Sequence, residues 1–170
     1  MIKTLGLTHL ALTVSDLRRK TTLVIVTGAG IGYSHYFPGT MGTILAVPIS
    51  LGLNRVAEAS PLFAIGMLVG ATLFAIKLST DAAQIVQQKD PQIIVADEIV
   101  GFLIANFLTP LRWAPLLLSF LLFRIFDITK VYPAAKLENL PGGTGIVLDD
   151  VLAGIYAFAI VQTLLYWRWL

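Results

Sequence analysis

Apolar residues along this chain come in blocks, not in alternation. Five runs stand out, at 44–58, 62–78, 93–109, 114–127 and 151–167. None shows the period-two pattern of a membrane barrel strand, and a lipid-buried backbone must satisfy its own hydrogen bonds, so each run is predicted to be a helix. Most fall short of the ~20 residues a perpendicular span needs. Their ends are therefore expected in the headgroup zone, or the bilayer thins around them.

Ahead of these runs, residues 5–20 set Leu7, Leu10, Val14 and Leu17 on one helical face, followed by Arg18, Arg19 and Lys20. That pattern predicts an interfacial helix with its basic end on lipid phosphates. A secretory signal fits less well, because the basic cluster follows the apolar stretch instead of opening the chain. The glycine-bearing stretch 21–33 is too short for a span and is expected to dip into the membrane and return. The organisation read from the pattern is one membrane domain, with the interfacial helix over 1–20, a glycine-rich loop or re-entrant segment over 21–43 and a helical bundle over 44–167.

Composition agrees. Hydrophobic residues make up 56% of the 170 and charged residues 13%, with a mean hydropathy of +0.82, whereas a soluble domain carries about 25% charged residues. The predicted fold class is all-α, a polytopic membrane bundle of about five short spans. A net charge of +2 speaks against a nucleic-acid partner, and the absence of cysteine excludes disulfides and thiolate chemistry.

Charge is distributed unevenly along this threading. With the segment before residue 44 placed in the cytoplasm, nine of the twelve basic residues lie on that side, as the positive-inside rule prefers. Nine of the ten acids lie there too, leaving only Glu58 opposite. Anchoring needs basic flanks alone. Carboxylates clustered near lipid depth are costly and mark a site.

The acids form three constellations. Asp97 and Glu98 open the third run in "VADEIVG", with Gly101 one turn on. In "FRIFDITK", Arg124, Asp127 and Lys130 share one face if the helix continues that far. Asp149 and Asp150 open the last run in "LDDVLAG", ahead of Gly154. Singly, each has a plain structural reading as a helix cap, a dipole partner or an intrahelical ion pair. Together, at one depth, they suit a hard divalent cation such as Mg²⁺, which takes carboxylate, water and phosphate oxygens, beside Arg and Lys that neutralise phosphate. Two glycine-bearing loops, "GIGYSHYFPGTMGT" and "PGGTG", offer close backbone approach to an anion. A cation or metabolite carrier is the alternative, although such carriers set their acids near the midplane between repeats, and no repeat is present. A non-catalytic lipid-binding subunit is a second alternative.

Four ordered motifs, "GIGYSHYFPGTMGT", "DEIVG", "FRIFDITKVYP" and "GGTGIVLDDVLAG", together with the apolar spacing between them, cover nearly the whole chain from about residue 28 onward. Through them the sequence resembles the phosphatidylglycerophosphatase A family. The resemblance implies Mg²⁺-dependent hydrolysis of phosphatidylglycerophosphate to phosphatidylglycerol and inorganic phosphate, at the cytoplasmic face of a bacterial inner membrane. Matching positions suggest Asp97, Glu98, Asp149 and Asp150 as metal ligands, with Asp149, Asp150, Asp127 and Thr40 at the reacting centre. Arg124, Lys130, Gly39, Thr40, Gly42, Gly142 and Gly143 are expected on the phosphate. Thr43 stands where the family has serine and Val131 where it has proline. His35 is expected to be a loop residue, His9 an interfacial one, and Lys136 and Glu138, outside the motifs, are expected to tolerate change.

Overall fold

The computed structural model describes residues 15–169, and among them there is no strand. A first helix, α1, is described over 15–26. After a 3-10 turn at Ile31–Tyr33 come α2 (Pro38–Ala59), α3 (Pro61–Val86), α4 (Ala96–Ala105), α5 (Trp113–Thr129), the single turn α6 (Ala134–Leu137) and α7 (Gly143–Tyr166).

Three of these, α2, α3 and α7, with 22, 26 and 24 residues, are long and apolar enough to cross a bilayer unaided. The five apolar runs all become helix, but their boundaries move. α2 starts at Pro38, inside the expected loop, because Phe37 turns the chain with φ 49° and Pro38 takes the first helical position, where a missing N–H is harmless. Gly39, Gly42, Thr43, Ala46 and Ser50 then form a stripe of small buried residues. α7 starts at Gly143, so both aspartates lie in its second turn, and α3 continues to Val86.

Residues 21–33, expected to dip into the membrane and return, form the end of α1 and a reversal. Gly28, Ala29 and Gly30 all take positive φ, and the Val95 N–H closes on the Val26 carbonyl at 2.8 Å. Val26 joins Ala75, Leu78 and Ala82 of α3 and Val147 of α7 in one core. The described part of α1 is thus packed on the bundle, where Arg18 pairs with Asp81 at 3.0 Å. Leu7, Leu10, Val14 and the rest of the expected interfacial helix up to residue 14 lie outside the described residues.

α4 is the central element, packing against α2, α3, α5 and α7. Its 10 residues are only about 15 Å long. It reaches the depth of its neighbours only with the turns and extended chain of 106–112 behind it. Non-helical backbone at that depth needs partners supplied by protein. Asn54 of α2 donates to the carbonyls of Asn106 (2.8 Å) and Thr109 (3.1 Å) and accepts from the Leu108 N–H (2.9 Å). Gln162 of α7 donates to the Phe107 carbonyl at 2.9 Å, and Asn106 to Ser50 at 3.0 Å.

The α4–α7 crossing is made at two glycines. A Cβ on Gly154 would strike the Gly101 carbonyl oxygen, and one on Gly101 would lie 2.5 Å from the Phe123 ring and 2.8 Å from the Asp150 carbonyl oxygen. Where lipid provides no hydrophobic push between helices, small residues at a crossing let the backbones approach and gain dispersion contacts. Phe102 meets Phe120 edge-on at 5.9 Å and fixes α5 to the same helix.

Replacing Asn54 with Ala takes the partner from the Leu108 N–H and the Thr109 carbonyl, while the Asn106 carbonyl keeps the Thr109 N–H at 3.3 Å; the cost is roughly 1–3 kcal/mol for each buried group. The thermal midpoint in detergent is expected to fall by at least about 5 °C. Arg55→Ala, which removes an exposed pair with Glu58, is expected to shift it by no more than about 1 °C. Equal midpoints for the two variants would deny the network its structural role.

Candidate functional site

Helix ends from α2, α4, α5 and α7 meet at one end of the bundle around a cavity of about 420 Å³. Gly39 comes from α2, Asp97 and Glu98 from the first turn of α4, Arg124 and Asp127 from the last turns of α5, and Asp149 and Asp150 from α7. All three acidic constellations therefore converge.

Within the cavity they do not form one undivided set. Asp97, Glu98 and Asp150 each offer a carboxylate oxygen within 4.8 Å of the others. Asp97 Oδ1, Glu98 Oε2 and Asp150 Oδ2 are buried without a hydrogen-bond partner. Like charges at such range repel, and buried polar atoms left unpaired cost free energy, so the arrangement calls for a cation.

Asp149, expected among the metal ligands, stands beside this trio. Successive residues on a helix point about 100° apart, so while Asp150 faces α4, Asp149 faces the end of α5. Its Oδ2 lies 3.0 Å from Lys130 Nζ, and its Oδ1 accepts the Asp150 N–H at 3.1 Å. Three of the four acids expected as ligands are thus grouped, and the fourth is engaged by a lysine.

Arg124 and Asp127 form the predicted i, i+3 ion pair, both largely buried, and Arg124 Nε has no partner. Lys130 does not extend their helical face. α5 ends at Thr129, and Lys130 follows in the left-handed region at φ 45°, ψ 54°. From there its ammonium reaches Glu138 as well as Asp149, each at 3.0 Å. Burial opposes its charge, but hydrogen bonds to the two carboxylates outweigh that penalty and hold its pKa above the ordinary lysine value. Lys130 is a cation at any physiological pH.

The glycines expected on phosphate divide by position. Gly39 lines the cavity. A Cβ there would collide with Glu98 Oε1 and lie 3.1 Å from both terminal nitrogens of Arg124, so the missing side chain is what lets the guanidinium rest against the first turn of α2. The first-turn amides of Gly39 and Thr40 have no intrahelical partner. The Thr40 side chain is half-buried and does not line the cavity. Gly42 faces Val95, whose Cβ would be 2.8 Å from an added one. Gly142 and Gly143 sit against Thr80 of α3, which accepts the Gly143 N–H at 2.8 Å. Gly42, Gly142 and Gly143 thus serve helix packing.

Thr43 is buried and donates its hydroxyl to the Gly39 carbonyl at 2.9 Å, supporting the same turn. His35 is exposed and lies off the cavity, as expected of a loop residue. Sequence reasoning missed Glu138, because the chain leaves the helix at Lys130 and turns before Ala134, so no helical register relates the two residues. It also missed Asp90 and Gln92, which line the rim from the α3–α4 connection.

Comparisons with known proteins meet this geometry. The family model for phosphatidylglycerophosphatase A matches residues 24–165, which include every side chain of the cavity. A Haemophilus influenzae phosphatidylglycerophosphatase A is 39% identical over 150 residues, covering 85% of this chain and 88% of its own. The Escherichia coli protein of that name is 29% identical over 140 residues, 81% of this chain and 80% of its own. A Bacteroides thetaiotaomicron protein, named as a candidate phosphatidylinositol-3-phosphatase, is 37% identical over 143 residues, 82% of this chain and 90% of its own. No solved structure matches the chain. With the family model spanning most of its length and the four motifs folded around one cavity, the chain belongs to the phosphatidylglycerophosphatase A family.

Proposed function

We propose that this protein hydrolyses phosphatidylglycerophosphate to phosphatidylglycerol and inorganic phosphate, with Mg²⁺ as cofactor, at the cytoplasmic face of a bacterial inner membrane. The carrying observation is the trio of Asp97, Glu98 and Asp150, with buried unpartnered oxygens, set beside Arg124. An all-oxygen donor set suits a hard cation, and Asp97, Glu98 and Asp150 would hold it. When bound, such an ion neutralises phosphomonoester oxygens as a Lewis acid.

The chain's own groups do the rest. Arg124, aimed by Asp127, and the first-turn amide of Gly39 line the cavity where a phosphate would sit, and would donate to its oxygens. Lys130 adds a fixed positive charge at the mouth. Donors fixed before the reaction are worth more than mobile water as charge develops on the phosphoryl group. Hydrolysis breaks the bond between phosphorus and the headgroup oxygen, water supplying a hydroxyl to phosphorus and a proton to the alcohol.

Orientation rests on charge. The cavity end of the bundle carries most of the basic residues, which the positive-inside rule assigns to the cytoplasm. The carrier reading gains nothing from the structure, since the acids gather at one end while the Asn54 network packs the other half.

Purified protein in detergent is expected to release phosphate from phosphatidylglycerophosphate, to stop with EDTA and to recover with Mg²⁺. Chelator-insensitive release, or none, would refute the assignment. Running phosphatidylinositol 3-phosphate in parallel tells which headgroup is preferred. Asp150→Asn and Glu98→Gln are expected to lower kcat by at least about a thousandfold without lowering the thermal midpoint. Asp149→Asn, acting through Lys130, is expected to cost about ten- to a hundredfold.

Gly39→Val places a side chain where Glu98 and Arg124 now approach α2, and kcat/KM is expected to drop at least about tenfold. Gly52→Ala, on the same helix with open space around it, serves as the control and keeps wild-type kinetics.

A further inference from the structure

Glu138 lies outside all four motifs, yet it touches Lys130, a cavity cation that, unlike Arg124, is not held within its own helix. Building on the phosphatase reading, we propose that Glu138 is a positioning residue that holds the Lys130 ammonium at the mouth of the carboxylate cavity, against the inward pull of Asp149. Lys130 Nζ is 3.0 Å from each acid, but their surroundings differ: the Asp149 side chain is 8% exposed and that of Glu138 42%. Attraction strengthens as water is excluded, so the inner carboxylate pulls harder. With Asp149 alone, the lysine would fold inward and place its charge against the carboxylates meant for a divalent cation. Glu138 supplies the opposing pull.

The geometry makes this opposition stiff at both ends. The Lys130 backbone is set by the end of α5, its N–H bonded to the Phe126 carbonyl at 2.9 Å and its φ in the left-handed region. Glu138 is carried by α6 and the turn after it, anchored through buried Ala134. Its carbonyl oxygen lies 2.9 Å from where a Cβ on Gly145 would be, so that connection lies on the first turn of α7, the helix that carries Asp149. Tyr156 of α7 donates to the Tyr132 carbonyl at 3.0 Å and ties down the same segment. An ammonium has three donors. Two are directed at Glu138 and Asp149, and the third remains for a phosphate oxygen arriving at the mouth.

Steady-state kinetics on phosphatidylglycerophosphate in mixed micelles test the idea. Glu138→Gln is expected to raise KM about three- to tenfold and leave kcat within about twofold, the range of a partly exposed ion pair. Glu138→Asp is expected to recover part of the loss. In a Lys130→Ala background, which is itself more impaired, adding Glu138→Gln is expected to change neither constant. Lys136→Gln, whose ammonium lies over the Tyr132 ring at 5.0 Å, is expected to match wild type. A wild-type KM for Glu138→Gln in otherwise active enzyme, or an equal KM rise without Lys130, overturns the positioning role and leaves the phosphatase reading standing. Absence of chelator-sensitive phosphate release from the wild-type protein overturns both.

Discussion

The glycine-on-glycine crossing of α4 and α7 is the contact on which the other arrangements rest. Asp97 and Glu98 stand one turn above Gly101, and Asp150 stands one turn above Gly154, so the distance between these carboxylates is set by how closely two backbones approach. A methyl group at Gly154 would meet the Gly101 carbonyl and push the helices apart. The same contact brings the Phe123 ring against α4, and with it the helix that carries Arg124 and Asp127. Backbone contact in lipid thus places the charges at the cavity.

Holding three acids together in a membrane protein is expensive, and the fold meets that cost by where it puts them. They sit at helix ends, where α4 presents first-turn amides to Asp97 and Glu98. Arg124 and Lys130 approach from the end of α5. The remaining imbalance, expressed as unpartnered oxygens on all three acids, is the chemical demand that the proposed divalent cation would satisfy. Apolar exposure is concentrated elsewhere. α3 turns Leu62, Phe63, Leu73 and Phe74 outward, the pattern of a lipid-facing surface. A lipid phosphatase needs both surfaces, one for the headgroup and one alongside the tails.

α4 is short because the chain needs a helix N-terminus at the site and a bend at depth. The bend is bearable only because Asn54 and Gln162 replace hydrogen bonds that a continuing helix would have made, with Asn106 held to Ser50 beside them. These polar residues sit within apolar runs and have no part in the chemistry. They keep α4 at the height where Asp97 and Glu98 can meet Asp150.

Much was legible beforehand. Unbroken apolar blocks with no cysteine and few charges could only be lipid-embedded helices, and hydrocarbon demands internally bonded backbone, so the helical class follows from composition and period alone. Four ordered motifs named the family and the acids. What the chain could not disclose was direction. Adjacent Asp149 and Asp150 read as equals until their 100° separation is set against neighbours, one toward α4 and the other toward Lys130. Glycines in two loops read alike as anion sites, yet of these only Gly39 lines the cavity, because what a glycine faces depends on the helix packed beside it. Glu138 carried no signal, since its partner is met across a turn that has no sequence period. Residue type and spacing determine which groups are available. Which of them touch is decided by helix ends and crossings, whose positions depend on contacts between distant parts of the chain.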